Sequence, residues 1–334
     1  MKNIANINID NLKFNISDFK KNFSFKNYIL NVSNNAFGHG IKLIKYLDDE
    51  FQYVYTNNFQ DVLNIKKYNH KIKIIYSGSI TEDNIYDLVL NDVIMVIKSK
   101  DTMDYILSLK IKDKFEIIFS IDKYDFNGFS SKHELNDILE DIKKDIHINI
   151  LGVIAKLNEK DYLDFKYITE PLKDLELVIL NNENEKNKIK SSNAILLDKS
   201  IYGIDTSKRK LFDKNIPSLK PILEVNSYIS KIVKSINKKK EVYYAVIPLG
   251  LVDGINTNIS KVFINDKFYS IKEINDEYIV VTVDNSIKVN DIVEVFGSNN
   301  RLDYFIKDNI FNTINHITSI VSINYEKSSK KLKS

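Results

Sequence analysis

The chain has no cysteine. Disulfides, thiolate metal sites and cysteine nucleophiles are therefore excluded outright. Histidine is sparse as well: His39, His70, His133, His147 and His316 are the only five, and none pairs at metal-ligand spacing. No metal centre is expected. No apolar run approaches the roughly 20 residues needed to span a bilayer. The opening Met-Lys-Asn-Ile-Ala-Asn-Ile-Asn-Ile-Asp has no apolar run behind its lysine, so it does not read as a signal peptide and the cytoplasm is the expected compartment. Glycine numbers 9 in 334 residues, well below the usual share of about 7%. A dominant charge is missing too. The net charge is +3, and the 28% of charged residues mix both signs, which gives no reason to expect a nucleic-acid partner. The most basic stretch, residues 327–334, reads as a frayed tail.

What is present is enough apolar material, 43%, for a sizeable core. The length suits a barrel plus a second domain. Seven short apolar runs, mostly rich in β-branched residues, punctuate the first two-thirds: 28–32, 72–76, 93–97, 115–121, 148–154, 175–180 and 194–197. They read as buried parallel strands. Helix-length segments separate several of them, among them 41–51, 82–91 and 132–144. This repeat suggests a (β/α)8 barrel or an open doubly wound sheet. From Ser218 onward the pattern becomes strand alternation, as in Val242-Tyr-Tyr-Ala-Val-Ile, with Asn265-Asp266 as a hairpin turn. That part reads as a mostly antiparallel domain.

Between the first strand and a helix lies Asn31-Val-Ser-Asn-Asn-Ala-Phe-Gly-His-Gly40. Glycines let the chain turn at a strand end, where barrel active sites sit. The segment resembles the signature of alanine racemases, Lys-Ala-Asn-Ala-Tyr-Gly-His-Gly, whose lysine holds pyridoxal 5′-phosphate as a Schiff base. Asn35-Ala36 and Gly38-His39-Gly40 match, Phe37 stands for the tyrosine, and Ser33 stands where the lysine belongs. The likeness extends along the chain. Asn127-Gly-Phe129 is similar to the end of a family segment whose arginine is missing here, and Lys156 stands at the histidine of Gly-x-x-Thr-His. Ser192 stands at a serine that contacts the cofactor phosphate, and Ile201-Tyr202-Gly203 matches Leu-Tyr-Gly without the preceding arginine. Val246-Ile-Pro-Leu-Gly-Leu-Val-Asp-Gly254 is close to Ile-Pro-x-Gly-Tyr-Ala-Asp-Gly, with Leu251 in place of the second catalytic base.

The resemblance implies a (β/α)8 barrel over 11–206, then a β-domain over 207–326 that includes a strand from 1–10. It also implies a dimer whose sites are completed by the second subunit. Racemisation needs the α-proton taken from one face and returned to the other, with pyridoxal phosphate as electron sink. Lysine and tyrosine serve as the two bases. Ser33 forms no imine, and Leu251 has no titratable group. Phe37 has lost a phenol, and Asp198 stands near Tyr202 where a glycine of the phosphate nest is implied; a carboxylate there repels phosphate. Phe37, His39, Lys156, Ser192 and Tyr202 are then the remnants of a cofactor pocket, and no cofactor is expected. The expectation is an inactive protein that keeps the fold and dimer, pairing with itself or with an active paralogue as a regulatory or scaffolding subunit. Two alternatives stand beside it: a module holding a small molecule in the emptied pocket, or an active pyridoxal-phosphate racemase whose amine has moved to Lys156, buried in the barrel mouth.

Overall fold

The computed structural model describes residues 2–22, 24–47, 51–124, 126–156, 161–180, 192–204, 219–237, 240–306 and 309–326. They form two compact units. One comprises Met1–Phe19, Ala36–Leu43 and Lys199–Ser334; the other comprises Lys20–Asn35 and Ile44–Asp198. The boundary expected at 206–207 and the basic tail at 327–334 lie outside the described residues.

The chain starts with β1 (Ile4–Asn8) and a helix over Ile9–Asn22, whose Leu12, Ile16 and Phe19 are buried. Eight parallel strands then close into a barrel: β2 (Asn27–Asn31), β3 (Tyr53–Thr56), β4 (Lys73–Tyr76), β5 (Val93–Ile97), β6 (Phe115–Ile121), β7 (Ile148–Ala155), β8 (Leu177–Leu180) and β9 (Ala194–Leu197). Closure comes from β9 pairing back with β2, from Asn27 opposite Ala194 to Leu30 opposite Leu197. The choice left open by periodicity thus falls to the closed barrel. β5 is buried at every position, as a strand covered on both faces must be. Ile29, Ile75, Ile94, Ile118, Ile154 and Leu196 meet in one core cluster. Burying each such side chain contributes roughly 1.5–3 kcal/mol. Gly152 marks the tightest approach in the wall: a Cβ there would sit 1.9 Å from the Leu177 carbonyl oxygen of β8.

Seven of the eight barrel strands correspond to the apolar runs. The eighth, β3, is Tyr-Val-Tyr-Thr, too short and too polar to register as an aliphatic run. Helices over Lys100–Ser108 and Lys132–Ile142 begin where Ser99 and Ser131 accept hydrogen bonds from backbone amides two or three residues on. The helix expected over 41–51 is a 3-10 turn instead, Ile41–Tyr46. Leu43 donates to the Gly40 carbonyl and Leu47 to that of Ile44, and Ile41, Ile44 and Leu47 are buried at a spacing of three.

The other unit carries a nine-stranded sheet. Its remaining strands are β10 (Leu223–Tyr228), β11 (Lys231–Asn237), β12 (Lys240–Ile247), β13 (Lys261–Ile264), β14 (Lys267–Ile274), β15 (Ile279–Val283), β16 (Ile292–Phe296) and β17 (Ser322–Glu326). The order is β11-β12-β15-β14-β13-β16-β10-β1-β17, antiparallel except between β1 and β17. Asn265 and Asp266 join β13 to β14 with φ of 46° and 63°, as a tight hairpin turn requires. Among the described residues no helix is long and apolar enough to cross a membrane.

Candidate functional site

Eight parallel strands bring their C-terminal ends to one mouth of the barrel, where the first polar residue past each strand faces its neighbours'. Asn31 ends β2, Thr56 ends β3, Ser77 follows β4, Lys98 follows β5 and Asp198 follows β9. Ser33, 4% exposed, donates its hydroxyl to the Asn31 carbonyl oxygen Oδ1 at 2.7 Å, and its amide donates to the same oxygen at 3.0 Å. The other end of the Asn31 amide donates to Asp198 Oδ1 at 3.0 Å. Tyr55 bonds the Ser77 side chain, and its phenol is pushed up, chiefly by burial and further by the Asp198 charge. Lys98 Nζ donates to the Ser77 carbonyl at 2.5 Å and has no ion-pair partner among the described residues. Burial holds its ammonium below the ordinary lysine value. A polar chain thus runs Ser33–Asn31–Asp198, and a second runs Tyr55–Ser77–Lys98.

Ser33 opens a turn, Ser33–Phe37, of left-handed sense. Asn34, Asn35, Ala36 and Phe37 have φ of 54°, 57°, 53° and 52°, and Gly38 and Gly40 follow at 85° and 91°. Each L-residue so placed costs roughly 1–2 kcal/mol, with asparagine the most tolerant. The turn needs anchors at both ends. At its start the buried Asp61 carboxylate accepts from the Asn35 amide at 3.2 Å and from the Thr56 hydroxyl at 3.0 Å. Burial raises the Asp61 carboxyl above its usual value, and these hydrogen bonds oppose the rise.

The end of the turn belongs to the other unit. There Thr318 donates to the Gly38 carbonyl at 2.7 Å. His39 is fully buried, with Nδ1 2.9 Å from the Ala36 carbonyl. That carbonyl can only accept, so Nδ1 carries the proton, and Nε2 has no hydrogen-bond partner among the described residues. Burial outweighs the carbonyl contact and pushes the imidazole down to about 4. The ring stacks on Tyr202 at 4.9 Å, and Phe37 packs edge-on against Tyr202 at 5.4 Å and against Phe311 at 5.1 Å. Lys199 lies over both phenylalanine rings.

The structure therefore brings Phe37, His39 and Tyr202 together and places Ser33 in the mouth of the barrel. Two barrel residues of the expected set, Lys156 and Ser192, are placed otherwise. Lys156 directly follows β7 but is exposed, not enclosed as expected. Ser192 precedes β9, whereas Asp198 follows it. At about 3.3 Å per residue, the six-residue separation puts Ser192 roughly 20 Å away, toward the opposite end of the barrel. Leu251 is half-buried in a turn, Leu251–Asp253, with its amide on the Asn275 carbonyl. Residues that motif reading passed over are Asp61, Tyr55, Ser77 and Lys98. The available signal was positional: each is polar and stands at, or within a helical turn or so of, the end of a barrel strand.

The pyridoxal phosphate implied by the resemblance can be tested against these side chains. A covalently held cofactor needs an amine after β2, and Ser33 offers a hydroxyl already donated to Asn31. Its phosphate needs donors after β9, and Asp198 offers a carboxylate already accepting from Asn31. The residues at these two positions do not fit the group.

Comparison with known proteins bears on the same segments. Residues 7–205 match the family described as "Alanine racemase, N-terminal domain". Alanine racemase of Fusobacterium nucleatum is 24% identical over 335 residues, covering 89% of this chain and 92% of that protein. Alanine racemase of Borreliella burgdorferi is 23% identical, covering 96% and 95%. Among solved structures, alanine racemase from Clostridium difficile 630 superposes with a TM-score of 0.84 at 19% identity, over 98% of this chain and 96% of that one. The E. faecalis enzyme superposes equally well, at 0.84, with 14% identity over 97% and 98%.

Proposed function

This chain belongs to the alanine racemase family, and from that premise we propose that it is a non-catalytic member that keeps the scaffold and dimer as a regulatory or scaffolding subunit. The observation that carries this reading is Ser33. It stands where the resemblance puts the cofactor lysine, and its hydroxyl and amide are both committed to Asn31. A hydroxyl forms no imine, and at neutral pH it does not abstract an α-proton unaided. The change is not isolated. Asp198 meets the place of the phosphate with negative charge, and Leu251 offers no proton-transfer group at the position of the second base. Losses at three positions that the resemblance assigns to the family's site fit a scaffold released from its reaction better than they fit a single tolerated substitution.

The dimer follows from the family, in which the second subunit completes the site. A partner of the same fold, either another copy or a racemase with lysine and tyrosine in place, is the occupant this reading implies, in the cytoplasm. The test combines two measurements on the purified chain. Conversion of L-alanine to D-alanine in the presence of added pyridoxal phosphate is expected to stay at background, and sedimentation is expected to give a dimer. Racemisation above background overturns the first half, and a monomer at micromolar concentration overturns the second.

One observation favours a second reading. Lys98 is a half-buried amine in the barrel mouth with only a carbonyl for company. If the protein still holds its cofactor, Lys98 is a better-placed amine than the exposed Lys156.

A further inference from the structure

The opposite end of the barrel holds a cavity of about 640 Å³. It opens where strands begin: Lys73 starts β4, Asp92 precedes β5, Phe115 starts β6 and Ile148 starts β7. A volume in this range suits a small metabolite. Four lysines line it, Lys66, Lys71, Lys73 and Lys114, against two carboxylates, Asp92 and Glu116. The balance is a surplus of two positive charges with the histidines neutral.

Among the described residues, one of the four lysines is ion-paired. Lys73 is paired with Glu116 at 2.8 Å. Lys66 reaches only the carbonyls of His70 and Ile72, at 3.5 and 3.3 Å. Lys71 and Lys114 make no ion pair among the described residues and are exposed to the cavity's opening. His147 also lines the cavity. Its backbone is fixed by Asp145 and Phe115, yet its ring Nδ1 is buried with no hydrogen-bond partner among the described residues. A buried polar atom left unpaired costs about 1–3 kcal/mol. Barrel residues at this end ordinarily serve stability, but crowding ammonium groups around open space works against stability. Burial holds Lys66 below its ordinary value; the Asp92 charge opposes this, and the Lys73 charge adds a smaller push downward. A bound anion would reverse that. Beside the charges, Phe115, Ile146 and Ile148 supply an apolar wall, with Ile146 83% exposed at the rim.

We propose that this cavity binds a small phosphomonoester, its phosphate among Lys66, Lys71 and Lys114 and its organic part against Phe115, Ile146 and Ile148. A phosphomonoester carries about −1.5 to −2 charge near neutral pH, which matches the surplus of two. A carboxylate would leave one charge uncompensated, and free phosphate would leave the apolar wall wet. The site is independent of the fate of the family's reaction, because none of its residues belongs to the network of Ser33, Asn31 and Lys98.

The test is calorimetric titration of the full chain at constant ionic strength with phenyl phosphate, inorganic phosphate and benzoate. Saturable one-to-one binding of phenyl phosphate is expected, tighter than either of the others. The doubly substituted Lys71→Glu/Lys114→Glu protein is expected to bind at least about tenfold more weakly, with Lys71→Gln alone as a milder variant should the double one fail to fold. Lys288→Glu, exposed and outside the cavity, should bind as the parent does. Absence of saturable binding overturns the proposal, as does equal affinity in the Lys71 and Lys114 variants or equal affinity for benzoate.

Discussion

Acidification should weaken this protein through one side chain, His39. The folded state holds its imidazole neutral at about 4, against 6.5 for a free histidine, because the ring is fully buried. The sign follows from proton counting. Below pH 6.5 the unfolded chain takes up a proton that the folded chain refuses until about pH 4, so stability present above 6.5 is lost as the pH falls through that window. Two and a half units at 1.36 kcal/mol each make this about 3 kcal/mol. Other groups titrate over the same range, so the effect must be isolated. His39→Gln keeps an amide donor for the Ala36 carbonyl but does not titrate. Urea unfolding of both proteins at pH 7, 6, 5 and 4 gives the difference in stability at each pH. The parent's stability relative to His39→Gln is expected to fall by about 3 kcal/mol between pH 6.5 and 4. Parallel pH profiles would refute the reasoning, and would mean that the imidazole is hydrated or finds a partner for Nε2.

Three further outcomes follow from the turn and the barrel. Gly38→Ala places a Cβ 2.8 Å from the Asn315 amide nitrogen at a φ of 85°; it should cost at least about 2 kcal/mol by thermal unfolding, through both clash and backbone strain. Asp61→Ala removes the acceptor of the Asn35 amide and the Thr56 hydroxyl; a loss of roughly 1–3 kcal/mol is expected, with faster amide hydrogen exchange at Asn34 and Asn35. Ser33→Lys introduces an amine at one position only; with Asp198 and Leu251 unchanged, D-alanine formation should stay at background.

Much of the barrel was legible because buried parallel strands announce themselves as aliphatic runs, as Val93–Ile97 does. β3 escaped because half of its four residues are tyrosine, and tyrosine reports neither face of a strand clearly. The hairpin at Asn265-Asp266 was readable because few residues other than glycine tolerate positive φ so well. The same chemistry was present in Asn34-Asn35, but Ala36 and Phe37 carry no such signal, and their conformation is imposed by contacts distant in sequence, such as Thr318 on Gly38. At the candidate site, the motifs name Ser33, which the structure places at the barrel mouth, and Phe37, His39 and Tyr202, which it packs together. They also gathered Ser192, which lies toward the wrong end of the barrel, because a motif fixes residue types and not the end of the strand on which they stand. Lys98 was missed for the opposite reason: no motif contains it, and only the barrel's closure brings it beside Ser77.

On the reading proposed above, this scaffold no longer holds its family's cofactor covalently. Incubating the purified chain with pyridoxal phosphate, reducing with borohydride and mapping peptides by mass spectrometry tests it directly. The expected result is no stoichiometric pyridoxyl-lysine, only trace labelling spread over exposed lysines. One lysine labelled to near completion, at Lys98 or Lys156, would contradict that reading and identify the amine that holds the cofactor.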